Sequence, residues 1–111
     1  MALQITSTAS PRTATIALDG ELDAESAIGF RKEVDRLISP ERNRLVLVLE
    51  NLTFMASAGF RVLIFAKQKN PDLEIVLVRP QGPVLDSLEK TGFVRQVVVT
   101  DADVANGAAA V

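Results

Sequence analysis

Few residues of this chain could do chemistry, and the best placed of them is Ser57. Ser57-Ala58-Gly59 opens a segment in which Phe60, Leu63 and Ile64 fall at i, i+3 and i+4, so the spacing predicts an amphipathic helix with a hydroxyl at its start. A serine there ordinarily serves as the N-cap, its oxygen taking a free N–H of the first turn. The same N–H groups and the helix dipole favour an added negative group, so a phosphate on Ser57 would also sit in a prepared field. Both uses stay open on the residues alone.

Enzymatic use of Ser57 is harder to build. The 111 residues include no histidine and no cysteine, which removes the common general base, thiolate nucleophiles, thiolate metal sites and disulfides together. Lys67, the nearest lysine on the same helix, is about three turns away, too far to activate the hydroxyl. Glu21, Asp23, Glu25 and Glu50 could gather at one end of a sheet as an acid/base pair or a divalent-cation site, although carboxylates at strand ends and helix starts usually cap or face water. The expectation is a protein that is not an enzyme and needs no cofactor or metal. A hydroxyl at an exposed helix start is instead a substrate for another protein's kinase, where added charge alters an interface without unfolding the domain.

The elements that must hold these residues can be read in order. With 48% hydrophobic and 23% charged residues, the chain is expected to form one globular α/β domain over residues 1–111. Its core is expected over about residues 3–99, followed by a tail over 100–111 with room for a short helix. Leu3, Ile5 and Ser7 alternate with polar residues, as do Ala14, Ile16 and Leu18, predicting an edge hairpin about the turn Ser10-Pro11-Arg12. The alternation breaks at Asp19-Gly20-Glu21-Leu22-Asp23; Ala27, Phe30, Val34 and Leu37 then predict a helix capped by Asp23 and ended by Pro40.

Leu45 to Leu49 is apolar without alternation, as suits an interior strand covered on both faces, and a polar break separates it from the Ser57 helix. The run is too short to cross a bilayer. Asn70-Pro71-Asp72 stops the helix, Leu73 to Val78 predicts a second interior strand, and Pro83 opens a helix carrying Val84, Leu85 and Leu88 on its apolar side. Thr91-Gly92 closes that helix, Phe93 and Val94 return to the core, and Val97 to Val99 form a last strand. The order β-β-α-β-α-β-α-β predicts a mixed sheet of about five strands with helices packed on it. A net charge of −2 gives no basic surface for nucleic acid or an anionic membrane, and Met-Ala-Leu-Gln-Ile-Thr is not a signal segment, so a cytoplasmic protein without membrane insertion is expected.

Gly20-Glu21-Leu22-Asp23 after an edge strand, Leu45 to Met55 as a buried strand and its exit, and Ser57-Ala58-Gly59 opening a helix together resemble the STAS family of bacterial anti-sigma-factor antagonists. The resemblance runs from about Leu3 to Val99. It implies a partner-switching regulator of transcription: the unphosphorylated protein binds an anti-sigma factor that is also a serine kinase, phosphorylation breaks the complex, and a serine phosphatase restores it. The family's Asp-Ser-Ser/Thr-Gly pattern places the acceptor on Ser57, with Glu21, Asp23, Met55, Ala56, Ala58, Gly59 and Arg61 as the surrounding partner surface. This chain has Ala56 where the pattern has Asp, Ala58 where it has a second hydroxyl, and Arg61 where many members have a small residue. A monomer or weak dimer is expected. Two further readings remain: a STAS docking subunit of a signalling or transporter complex that is not phosphorylated, and a STAS module binding a small ligand or nucleotide near Glu21 and Asp23.

Overall fold

Strand β2, Thr13–Leu22, touches more of the sheet than any other element, and its two halves have different partners. In the computed structural model, which describes residues 3–101, β2 pairs antiparallel along its length with β1, Leu3–Ala9. Its first half, Thr13 to Ala17, lies parallel to β3, Arg44–Val48. Its second half, Gly20 to Leu22, lies parallel to β4, Leu52–Met55. The handover occurs at a register shift between Gly20 and Glu21, where Gly20 has φ 113°, a left-handed value that glycine adopts without a Cβ penalty.

Two expectations are corrected here. The break in alternation at Asp19 to Asp23 does not end the second strand at Leu18, because the glycine bulge lets β2 continue to Leu22. The polar break before the Ser57 helix contains a strand: after β3 the chain makes a short turn, with the Leu52 N–H donating to the Leu49 carbonyl at 3.0 Å, and rejoins the sheet as β4. The sheet therefore has six strands, five of them in the order β1-β2-β3-β5-β6, with β5 at Glu74–Val78 and β6 at Val98–Thr100.

Three helices complete the fold: α1, Ser26–Leu37; α2, Ser57–Lys69; and α3, Gly82–Thr91. They bury Phe30, Leu63 and Leu88 against one face of the sheet, built from Ile16, Leu45, Leu47, Ile75 and Leu77. Full burial of a side chain such as Phe30 contributes roughly 1.5–3 kcal/mol, so this layer dominates the stability. Period-two alternation sends Val46, Val48, Val76 and Val78 to the opposite face as a second cluster, which is why β3 and β5 read as unbroken apolar runs. The αL residue Gly92 (φ 77°) ends α3, and a 3₁₀ turn at Phe93–Gln96 buries Phe93 and delivers the chain to β6. The expected C-terminal tail lies outside the described residues from 102 onward. No helix among the described residues is long and apolar enough to cross a membrane.

Glu33 fastens α1 to the edge strand. Its carboxylate accepts from the Arg36 guanidinium at 2.6 Å and from the Ser7 hydroxyl of β1. The Arg36 bond first, and then the Ser7 bond, lower its pKa from 4.5 to about 2. A depressed carboxylate stabilises the fold above its unfolded pKa and loses that contribution as pH falls through the folded value. Glu33→Gln is therefore expected to cost about 1 kcal/mol at pH 7, with the difference from wild type closing between pH 4.5 and about 2 in urea melts. A difference that persisted unchanged to the acid end of that window would sink the assignment.

Candidate functional site

The ends of β2 and β4 and the start of α2 meet at one corner of the domain. The Ala56 N–H donates to the Leu22 carbonyl at 2.8 Å, tying the entry of α2 to the end of β2. Gly59 then packs directly over Leu22. A Cβ added to Gly59 would lie 2.6 Å from Leu22 Cδ2 and 3.2 Å from Met55 Cγ, so a side chain there would force this packing to shift. Of the residues expected at the partner surface, Gly59 and Met55 are buried and underlie the corner.

Ser57 is not the N-cap that the sequence suggests. The Leu22 tether sets Ala56 in the extended conformation of a cap (φ −75°, ψ 165°), and the Ala56 carbonyl accepts the first helical bonds, from Gly59 at 2.9 Å and Phe60 at 3.4 Å. The cap residue thus has a methyl group in place of an acceptor, and no side chain caps the helix. Ser57 becomes the first residue of α2 and is exposed, with its hydroxyl uncommitted to the helix start. The first turn of α2 contains no acidic residue, so the positive end of the helix dipole is unopposed there.

Across the corner, Asp23 and Ser26 close the turn that leads into α1. Asp23 Oδ1 accepts from the Ser26 N–H at 2.8 Å, and the Ser26 hydroxyl accepts in return from the Asp23 N–H at 2.9 Å. This is a reciprocal capping arrangement, so Asp23 supplies the capping bonds although the regular helix begins only at Ser26. The Ser26 N–H, and next its hydroxyl, hold the Asp23 carboxyl below its usual pKa. Glu21, half-buried on β2, stands opposite Phe54 of β4.

Among the described residues, Glu21, Asp23, Glu25 and Glu50 do not gather into a group that could hold a metal ion. Glu50 pairs with Arg79 at 3.1 Å, beyond the β3–β5 end of the sheet, while Asp23 is committed to Ser26. Among the described residues no group of three acidic side chains could hold a metal ion. The structure instead adds residues that the sequence did not single out. Phe54 is 48% exposed beside the corner, and Ile28 and Phe65 stand out from α1 and α2 at 60% and 49%. Their signal was an apolar residue falling off the buried stripe of its element.

Two substitutions test this corner. Gly59→Ala is expected to cost about 1–3 kcal/mol in urea unfolding, the range for overpacking a filled core, and a variant within error of wild type would show that Leu22 yields freely. Ala56→Asp gives the α2 cap the acceptor it lacks and is expected to stabilise by about 0.5–2 kcal/mol; a loss of stability would mean that Ala56 is not in capping geometry.

The STAS domain profile matches residues 4–106. Among solved structures, the fold is similar to an anti-sigma factor antagonist from Mycobacterium paratuberculosis (TM-score 0.78, 16% identity, 91% of this chain and 87% of that one). It is also similar to the anti-sigma factor antagonist SpoIIAA in its unphosphorylated form (TM-score 0.71, 20% identity, 95% and 93%). A third is the Bacillus cell fate determinant SpoIIAA in its phosphorylated form (TM-score 0.67, 20% identity, 88% and 90%). No curated protein matches the sequence. At these identities the structural likeness is one of fold, while the profile covers nearly the whole chain: the protein belongs to the STAS domain family.

Proposed function

We propose that this chain is an anti-sigma-factor antagonist that binds a serine-kinase anti-sigma factor through the corner around Ser57, and that the Ser57 hydroxyl is the phosphate acceptor. The observation that carries this reading is the placement of Ser57 as the exposed first residue of α2, in a turn with no acidic residue and no side-chain cap. The kinase would transfer the γ-phosphoryl group of ATP to Ser57 Oγ, releasing ADP and the hydroxyl proton. The product adds nearly two negative charges where the helix dipole and free N–H groups favour them. Phosphorylation would therefore be tolerated by the fold and felt at the surface. The fold relatives support the reading, since they are anti-sigma factor antagonists and one of them is known in a phosphorylated form. In this scheme a serine phosphatase resets the switch, and the protein acts on transcription from the cytoplasm.

A second reading is favoured by Ala56 and Ala58, which leave Ser57 between two methyl groups. In it, the chain docks constitutively and is never modified. The two readings separate in one experiment with the anti-sigma kinases of the source organism and radiolabelled ATP. The first expects about one phosphate on wild type and none on Ser57→Ala, with Ser57→Asp binding the kinase at least about tenfold more weakly. Binding without labelling would favour the constitutive subunit. Equal labelling of wild type and Ser57→Ala would remove Ser57 from the acceptor role.

A further inference from the structure

Beside Ser57 a groove of about 190 Å³ runs between α1 and α2. On α2 it is lined by Ala58, Arg61, Val62 and Phe65, spaced i, i+3, i+4 and i+7 along one stripe. On α1 the facing stripe includes Ala27, Ile28 and Arg31. The small residues give the groove its depth, and the half-exposed Ile28 and Phe65 form apolar walls. Two ridges of helical side chains with a furrow between them are the shape that receives a third helix.

The charges at this groove are cationic and lightly used. Among the described residues, Arg61 makes no hydrogen bond or ion pair. Arg31 has only a 3.7 Å contact with Asp35, itself 3.6 Å from Lys69, and these exposed pairs are weak. Apolar walls beside two available guanidinium groups complement an amphipathic helix that carries carboxylates next to its apolar face.

Arg61 is also placed to sense Ser57. The two residues stand four apart on α2, with the prospective anion on the N-terminal side, the favourable order for an ion pair across one helical turn. We propose that the α1–α2 groove takes an acidic amphipathic helix of the partner kinase, and that phosphorylation of Ser57 releases it by drawing Arg61 from the partner's carboxylate to the phosphate. The groove begins at Ala58, next to Ser57, so the two anions compete for one cation at a continuous surface. This rests on Ser57 being the acceptor, and it adds which residue reads the phosphate and what chemistry the partner presents.

One test needs no partner. Phosphoserine incorporated at position 57 is titrated by phosphorus NMR in wild type and in Arg61→Gln. The second phosphate pKa, ordinarily about 6, is expected to lie about 0.15–0.4 unit lower when Arg61 is present. Equal values in the two proteins would overturn the capture.

The second test measures affinity for the anti-sigma kinase. Arg61→Glu and Arg31→Glu are each expected to weaken the complex about tenfold. Ser57→Asp is expected to cost about tenfold in the parent and less than about twofold in Arg61→Gln, because the cation it competes for is gone. Normal binding by both Arg→Glu variants, or additive effects of Ser57→Asp and Arg61→Gln, would overturn this inference and leave the Ser57 reading standing. Failure of the unmodified parent to bind any anti-sigma kinase would overturn that reading and, with it, the groove's occupant.

Discussion

The approach of Gly59 to Leu22 sets the geometry of the whole corner. With a would-be Cβ 2.6 Å from the Leu22 side chain, any side chain at residue 59 would force Leu22 or the start of α2 to shift. Leu22 is in turn held by the sheet, because β4 pairs with β2 beyond the Gly20 bulge. The Ala56 N–H then closes on the Leu22 carbonyl and decides which residue is the last before the helix. Ser57 is thereby pushed one position into α2, outward and free of a capping duty. The exposed position of Ser57 is a consequence of a packing constraint beneath it.

That constraint also explains what the sequence could and could not disclose. The periodic stripes of α1, α2 and α3 and the apolar runs of β3 and β5 were legible because burial writes directly into residue type. Phe30 and Leu63 could hardly sit anywhere but in the core, and both are fully buried. Strand β4 was hidden because Thr53 and Phe54 both face solvent, so Leu52 to Met55 carries no alternation; the strand exists through pairing with a part of β2 that a bulge extends. The cap of α2 was misplaced for a related reason. Local propensity favours serine over alanine at a cap, but a backbone bond to a residue far earlier in the chain outranks it. Asp23 was legible because both members of its capping pair lie within one short turn.

The surface around Ser57 joins features of two kinds. Its apolar members, Phe54, Ile28 and Phe65, come from three different elements and are each about half exposed. Sequence periodicity cannot find such residues by itself, since an isolated exposed apolar side chain is common. Their meaning comes from adjacency. Ile28 and Phe65 flank a groove that begins beside Ser57, and two arginines border the same groove.

The departures from the family pattern at Ala56 and Arg61 belong to one electrostatic change. An Asp at position 56 would cap α2, and its carboxylate would already neutralise the positive end of the helix before any modification. With Ala56 that end is uncovered, and the first turn carries no other acid. Arg61, one turn on, adds a full positive charge with no partner among the described residues. A phosphate on Ser57 would therefore be the first anion in this part of the helix, reversing the sign of the local field where an aspartate-bearing relative would only deepen it. Without an acidic neighbour at position 56, the electrostatic contrast that a phosphate on Ser57 would make is wider, and Arg61 stands one helical turn from where that charge would lie.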